Sequence, residues 1–216
     1  MVHLAVRKPM RIDPDRLKRS WPSLLIVAGF AMLLYVASQY ATMYSAQRRL
    51  TQEWQQQNLQ LPTQPAGLVT TLTRLTIPSI RLDAVVVEGV DRKNLLVGPG
   101  HLPETPEPGE PGNAVISGHR DTFFRHIHEL KKGDYIMVER SGRRFRYEVT
   151  GKQIVEPTDM AVVQATPDPQ LTLLTCYPTY YIGPAPQRLV VFSRLVDVSR
   201  GDEPAALTKP VAEAAQ

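Results

Sequence analysis

Residues 135–150 read YIMVERSGRRFRYEVT, two runs of apolar and β-branched residues on either side of Ser141-Gly142. A Ser-Gly pair between such runs, with Arg143 resuming the chain, is a hairpin signal, so strands are expected over 135–140 and 145–150. Working outward, runs of the same kind recur at 72–77, 80–87, 114–117, 171–176 and 188–196, separated by Gly and Pro. Only 122–130 has a helical pattern, with Phe123, Phe124, Ile127 and Leu130 at roughly 3.6 spacing. Many short strands and little helix point to a mainly β domain over 72–198, a closed or nearly closed barrel.

The rest of the chain carries no second globular pattern. Residues 21–44 contain no Asp, Glu, Lys or Arg and have Trp21, Tyr40 and Tyr44 towards their ends. A helix rises 1.5 Å per residue, so roughly 20 residues cross a hydrocarbon core of about 30 Å. Ala37-Ser38-Gln39 resembles a cleavage site, but the apolar run is longer than that of a signal peptide, which favours a retained anchor. Arg7, Lys8, Arg11, Arg16, Lys18 and Arg19 precede this run, against Arg48 and Arg49 after it. That asymmetry predicts a single-pass protein of the cell membrane, with residues 1–20 cytoplasmic and the β domain outside. Residues 45–71, rich in Gln with Leu50, Trp54 and Leu59, read as a helical stalk and linker ended by Pro62 and Pro65. They need only be a spacer, so a chain starting near Leu68 is expected to be soluble and active alone. Residues 199–216, without apolar periodicity, read as a disordered tail.

The formal net charge is +4 with the six basic residues gathered before the anchor, so nucleic acid is not an expected partner. There is no P-loop or paired-glycine dinucleotide fingerprint and no internal repeat. The single cysteine, Cys176, excludes zinc-type cysteine spacing and leaves no intramolecular disulfide partner.

Cys176 closes the run Leu171-Thr172-Leu173-Leu174-Thr175-Cys176 just before Tyr177-Pro178. Two readings stand open: a small buried core residue, or a nucleophile, which needs a partner to form the thiolate and to protonate a leaving amine. Among the five histidines, His3 lies before the anchor. His126 and His128 sit among charged neighbours and suit a solvated surface, and His101 stands in a Gly/Pro-rich loop with a structural role. His119 follows the strand 114–117 through Gly118, so it ends a strand as Cys176 does, and two strand ends can converge at one barrel rim. Arg188 opens the strand 188–196 and offers a guanidinium for a developing oxyanion. Each of the last two is also readable as a plain surface residue.

Gly98-Pro99-Gly100-His101, Pro108-Gly109-Glu110, Gly112-Asn113, Ser117-Gly118-His119-Arg120 with Thr122-Phe123-Phe124, Leu174-Thr175-Cys176-Tyr177-Pro178 and Ala185-Pro186-Gln187-Arg188-Leu189-Val190-Val191 follow one another in the order of the sortase signatures. Over residues 72–198 the chain resembles the sortases, most of all class D. The resemblance implies a closed eight-stranded β-barrel with short helices, and a membrane-anchored cysteine transpeptidase. By motif, Cys176 would be the nucleophile, His119 the general acid and base, and Arg188 the stabiliser of substrate and oxyanion. The enzyme would cleave a C-terminal sorting signal of the Leu-Pro-x-Thr-Gly kind after its threonine, forming a thioester. An amino nucleophile on cell wall or another protein would resolve it. Partners implied are exported proteins with such signals, the amino-group acceptor and the membrane; no cofactor and no metal is expected.

Two local features are set aside. Leu102-Pro103-Glu104-Thr105 matches the start of a sorting signal, but Pro106 follows where glycine is needed. Glu104, Glu107 and Glu110 could suggest the calcium that modulates some sortases, yet spread through a proline-rich loop they read as solvated. The competing functions are an L,D-transpeptidase-like cell-wall enzyme, whose Ser-x-Gly-Cys-x-Arg context is absent around Cys176, and a catalytically inactive sortase-like binding module.

Overall fold

A computed structural model of the chain describes residues 14–60, 72–180 and 183–200. The chain divides into two units, Met1–Thr42 and Met43–Gln216. In the first, the described residues belong to a helix, α1 (Pro14–Gln60), which continues into the second unit. Its large apolar side chains from Trp21 to Tyr40 are all exposed. A helical stretch that is apolar all round and exposed suits lipid, and α1 is long and apolar enough to cross a membrane. Most of the basic segment (1–13), the linker from 61 to 71 and the tail beyond 200 lie outside the described residues.

The second unit is a closed barrel of eight strands: β1 (Thr73–Ile77), β2 (Leu82–Glu88), β3 (Gly100–His101), β4 (Asn113–Gly118), β5 (Tyr135–Arg140), β6 (Arg143–Val155), β7 (Gln170–Tyr177) and β8 (Gln187–Arg200). The order around the barrel is β1-β2-β3-β4-β7-β8-β6-β5. Only β2–β3 and β4–β7 pair in parallel. Side chains alternate along each strand. Leu75 and Ile77, Ala84 and Val86, Ala114 and Ile116, Leu171 and Leu173, and Leu189 and Val191 accordingly point into one core. Ser141 and Gly142 both have positive φ, 53° and 70°, and join β5 to β6 as the tight hairpin that the sequence predicts.

Three features differ from the sequence expectation. β3 is two residues long, too short and glycine-containing to leave any periodicity. The region 122–130 is a series of turns with one short 3-10 stretch, Ile127–Glu129. Its apolar residues do face inward, for Phe124, Ile127 and Leu130 are fully buried. β6 runs on to Val155 and β8 to Arg200, because register shifts in their ladder let the two strands bend together past the expected ends.

The stretch read as a spacer packs on the barrel. β3 covers only Val87 and Glu88 of β2, and the carboxamide of Gln47 takes the place of a strand residue further along. It donates to the carbonyls of Val85 (3.0 Å) and Val97 (2.8 Å), the latter in the helix α2 (Arg92–Val97), and accepts the N–H of Val85 (3.0 Å). Trp54 is only 8% exposed. The Arg74 guanidinium lies 4.8 Å from its ring centroid, and Gln57 accepts the N–H of Leu72. Removing these residues uncovers an aromatic contact and orphans backbone groups, a loss on the order of 3–5 kcal/mol. A chain starting at Leu68 is therefore expected to melt roughly 10 °C below one starting at Met43. Calorimetry of the two chains checks this, and equal melting temperatures would return the stalk to a spacer.

Tyr147 shows how the core is pinned. It is fully buried, its hydroxyl accepts the N–H of Gly109 at 2.7 Å, and burial pushes its phenol up to about 12. It thus stays neutral and anchors the β3–β4 loop over the barrel end.

Candidate active site

Three consecutive strands of the barrel, β4, β7 and β8, bring the candidate residues together. Cys176 pairs directly with Arg188 in the β7–β8 ladder. The parallel β4–β7 ladder ends with Gly118 opposite Thr175, so His119 is the next residue beyond, alongside Cys176. Alternation puts Cys176 and Arg188 on one side. Leu171 and Leu173 on β7, and Leu189 and Val191 on β8, enter the core, so Leu174 and Cys176, like Arg188 and Val190, lie on the outer face. All three candidates are half-buried, and Cys176 is a free thiol.

This outer face has its own apolar layer. Val155, Val162 and Val190 are buried against one another, with Val163, Leu174 and Phe192 partly buried beside them. Val162 and Val163 come from a 3-10 stretch, Met160–Val163, in the β6–β7 connection. A buried polar pair holds that connection down. Asn113 donates to the carbonyls of Val162 (3.2 Å) and Gln164 (3.1 Å) and accepts the hydroxyl of Thr172 (2.7 Å).

The strand ends are locked by residues that sequence reading did not single out. The Thr175 hydroxyl donates to the Gly118 carbonyl at 2.7 Å, tying β7 to β4 one step before the Cys176 and His119 positions. Gly118 is required there, since a Cβ would meet the Phe124 ring at 2.7 Å. The His119 carbonyl then accepts the N–H groups of Thr122 and Phe124 and turns the chain. Arg120 reaches across to the β7–β8 loop, donating from Nη1 to the Pro178 carbonyl (3.2 Å) and from Nη2 to that of Gly183. Arg188 donates from Nη1 to the carbonyls of Gln187 (3.0 Å) and, more weakly, Ala185 (3.4 Å), which holds its guanidinium at the start of β8. Arg120 carried one legible signal, its place directly after the candidate histidine.

The other described histidines make other contacts. His126 and His128 are exposed, His126 against Glu129 at 2.7 Å and His128 against the Arg125 carbonyl. His101 is buried in β3, with Nδ1 facing the Glu88 carboxylate (3.1 Å) and Nε2 facing the Pro106 carbonyl (3.1 Å). Glu88, His101 and Glu107 have ligand atoms within 4.8 Å of one another. Both ring nitrogens already face oxygen atoms of the fold, with Nε2 also 3.2 Å from the Thr105 hydroxyl. Glu107 and Glu110 both lie near Arg140, at 3.6 and 3.7 Å. Thr105 is built into its loop, donating its hydroxyl to the Leu102 carbonyl and accepting the N–H of Val115. The segment 102–105 is thus part of the fold.

Adjacent strand ends thus carry a thiol, a histidine and a guanidinium, residue types that serve acyl transfer. A family model described as Sortase domain matches residues 75–196. Sortase D of Bacillus subtilis (strain 168) is 39% identical over 123 residues, covering 56% of this chain and 62% of the relative. Sortase A of Bacillus anthracis is 35% identical over 107 residues, covering 48% of this chain and 50% of that one. The match thus spans roughly half to three fifths of these curated relatives. The crystal structure of sortase E1 from Streptomyces coelicolor, with a tripeptide in its active site, superposes with a TM-score of 0.57 at 27% identity, over 63% of this chain and 95% of that one.

Proposed function

Because the chain belongs to the sortase family, whose members are cysteine transpeptidases, we propose that it is a membrane-anchored transpeptidase acting on C-terminal sorting signals of the Leu-Pro-x-Thr-Gly kind. The observation that carries this reading is the register that sets Cys176 opposite Arg188, with His119 the residue just past the β4–β7 ladder.

The Cys176 sulfur, as thiolate, attacks the threonine carbonyl of the signal. A C–S bond forms and the carbonyl π pair moves to oxygen. The Arg188 guanidinium donates hydrogen bonds to that oxygen as its charge develops. The C–N bond then breaks, His119 gives its proton to the departing amine, and a thioester remains on Cys176. An amino group of the acceptor, deprotonated by His119, attacks the thioester and releases the thiolate. Half-buried Leu174, two residues before Cys176 on the same face, offers an apolar surface for the signal. Helix α1 crosses the membrane with the basic N-terminus in the cytoplasm, which puts the barrel on the side where exported substrates emerge.

Incubating the full chain in detergent micelles with a Leu-Pro-x-Thr-Gly peptide tests the reading. Mass spectrometry is expected to find the acyl group on Cys176, and an added amine is expected to take it over. A folded protein that forms no thioester and cleaves no such peptide would overturn it. Arg188→Lys separates catalysis from mere charge, because an ammonium keeps the charge and loses the planar fork. Its kcat/KM is expected to fall on the order of 10²-fold, as when one oxyanion donor is removed. A value within about twofold of wild type, the usual size for an exposed substitution, would remove Arg188 from the reaction.

A further inference from the structure

We propose that Arg120 is a positioning residue, whose guanidinium holds the His119 turn and the loop between Cys176 and Arg188 in one arrangement, on which the rate of acyl transfer depends. The proposal rests on the transpeptidase reading above.

The β4–β7 ladder stops at Gly118 and Thr175, and the β7–β8 ladder stops at Tyr177 and Gln187. His119 therefore stands one residue past the β4–β7 pairing, and Cys176 and Arg188 stand one residue inside the end of the β7–β8 pairing, with Arg188 also paired to Val155 of β6. Arg120 is covalently next to His119. One of its nitrogens holds the Pro178 carbonyl, two residues past Cys176, and the other holds the Gly183 carbonyl on the Arg188 side of the loop. A single planar group thus ties all three strand ends together. The loop's described contacts include a 3.4 Å approach of Thr179 to His128 and the bond from Arg188 to Ala185, and Tyr180 is 84% exposed.

The Pro178 and Gly183 carbonyls carry no net charge, so these two bonds depend on direction. A lysine can reach one carbonyl but cannot bridge two with fixed geometry. Small displacements of a proton donor from a nucleophile cost rate steeply.

The test uses the full chain in detergent micelles with Arg120→Ala and Arg120→Lys. Three readings are taken: steady-state cleavage of a Leu-Pro-x-Thr-Gly peptide, the pH profile of Cys176 alkylation by iodoacetamide, and the rate of chymotrypsin nicking after Tyr180. For Arg120→Ala, kcat is expected to fall roughly 10- to 100-fold with KM changed by less than about threefold. The alkylation profile is expected to move and nicking to accelerate, with Arg120→Lys intermediate in each. A kcat within about twofold of wild type and an unmoved alkylation profile would overturn the proposal, even if the melting temperature dropped. So would a rise in KM at constant kcat, which would make the loop a binding surface only. If the alanine variant does not fold, the lysine variant decides by the same criteria. If wild type itself cleaves no peptide, the transpeptidase reading fails, while the alkylation profile, which needs no peptide, still decides whether Arg120 sets the surroundings of Cys176.

Discussion

Cys176→Ala is expected to abolish thioester formation and to lower peptide turnover by at least about 10³-fold, the loss typical of deleting a nucleophile whose partners act only through it. The fold is expected to survive. Cys176 is half-buried on the outer face of β7, beside rather than inside the core, and alanine is a small apolar residue that keeps the strand. Backbone pairing with Arg188 and the Thr175 bond to Gly118 do not involve the thiol. The comparison is made at equal folded concentration, with circular dichroism and melting temperature as the control and mass spectrometry of the acyl adduct as the readout. Residual cleavage at a tenth of the wild-type rate would mean that Cys176 is not the attacking group. Adduct formation elsewhere on the chain would say the same.

His119→Ala is expected to be almost as severe, with acylation slowed on the order of 10²- to 10⁴-fold, the usual worth of a positioned acid or base. An amine leaves poorly without a proton, and His119 is the imidazole that the β4–β7 register brings next to Cys176. His101 is buried in its own contacts with Glu88 and Pro106, and His126 and His128 are engaged on the 122–130 segment. None is arranged to substitute. Stopped-flow cleavage with mass spectrometric detection of the acyl-enzyme gives the answer. Rapid build-up of thioester in this variant would take His119 out of the acylation step and leave it, at most, a part in resolving the intermediate.

These expectations depend on features of different legibility. Local patterns needed only neighbouring residues. The hairpin around Ser141 and Gly142 follows from turn chemistry, and the apolar segment from Trp21 follows from the absence of charge over a membrane's width. The buried set Phe124, Ile127 and Leu130 showed its apolar spacing even though turns replaced the helix. The ordered blocks around His119, Cys176 and Arg188 carried the family and hence the closed barrel. In each case the physical cause, whether side-chain period, missing charge or a required φ, acts over a few residues and is written there.

Other features come from distant pairing. The Thr175 bond to Gly118 spans 57 positions, and the parallel β4–β7 contact that sets His119 beside Cys176 has no local cause. It exists because β4 pairs with β3 on one side and β7 with β8 on the other, so that closing the sheet brings their remaining edges together. β3 is a strand only because β2 and β4 flank it. Gln47 gains its role only where that short strand leaves Val85 uncovered, so a stalk that reads as a spacer packs as part of the barrel unit. Arg120 is one more surface arginine in the sequence, and it becomes a clamp because the folded β7–β8 loop presents the Pro178 and Gly183 carbonyls within reach of one guanidinium. By itself the sequence determined most of the strands, the long apolar helix and the three candidate side chains. Tertiary structure decided which strand ends meet, because unpaired backbone groups are satisfied by partners that only the closed barrel brings near.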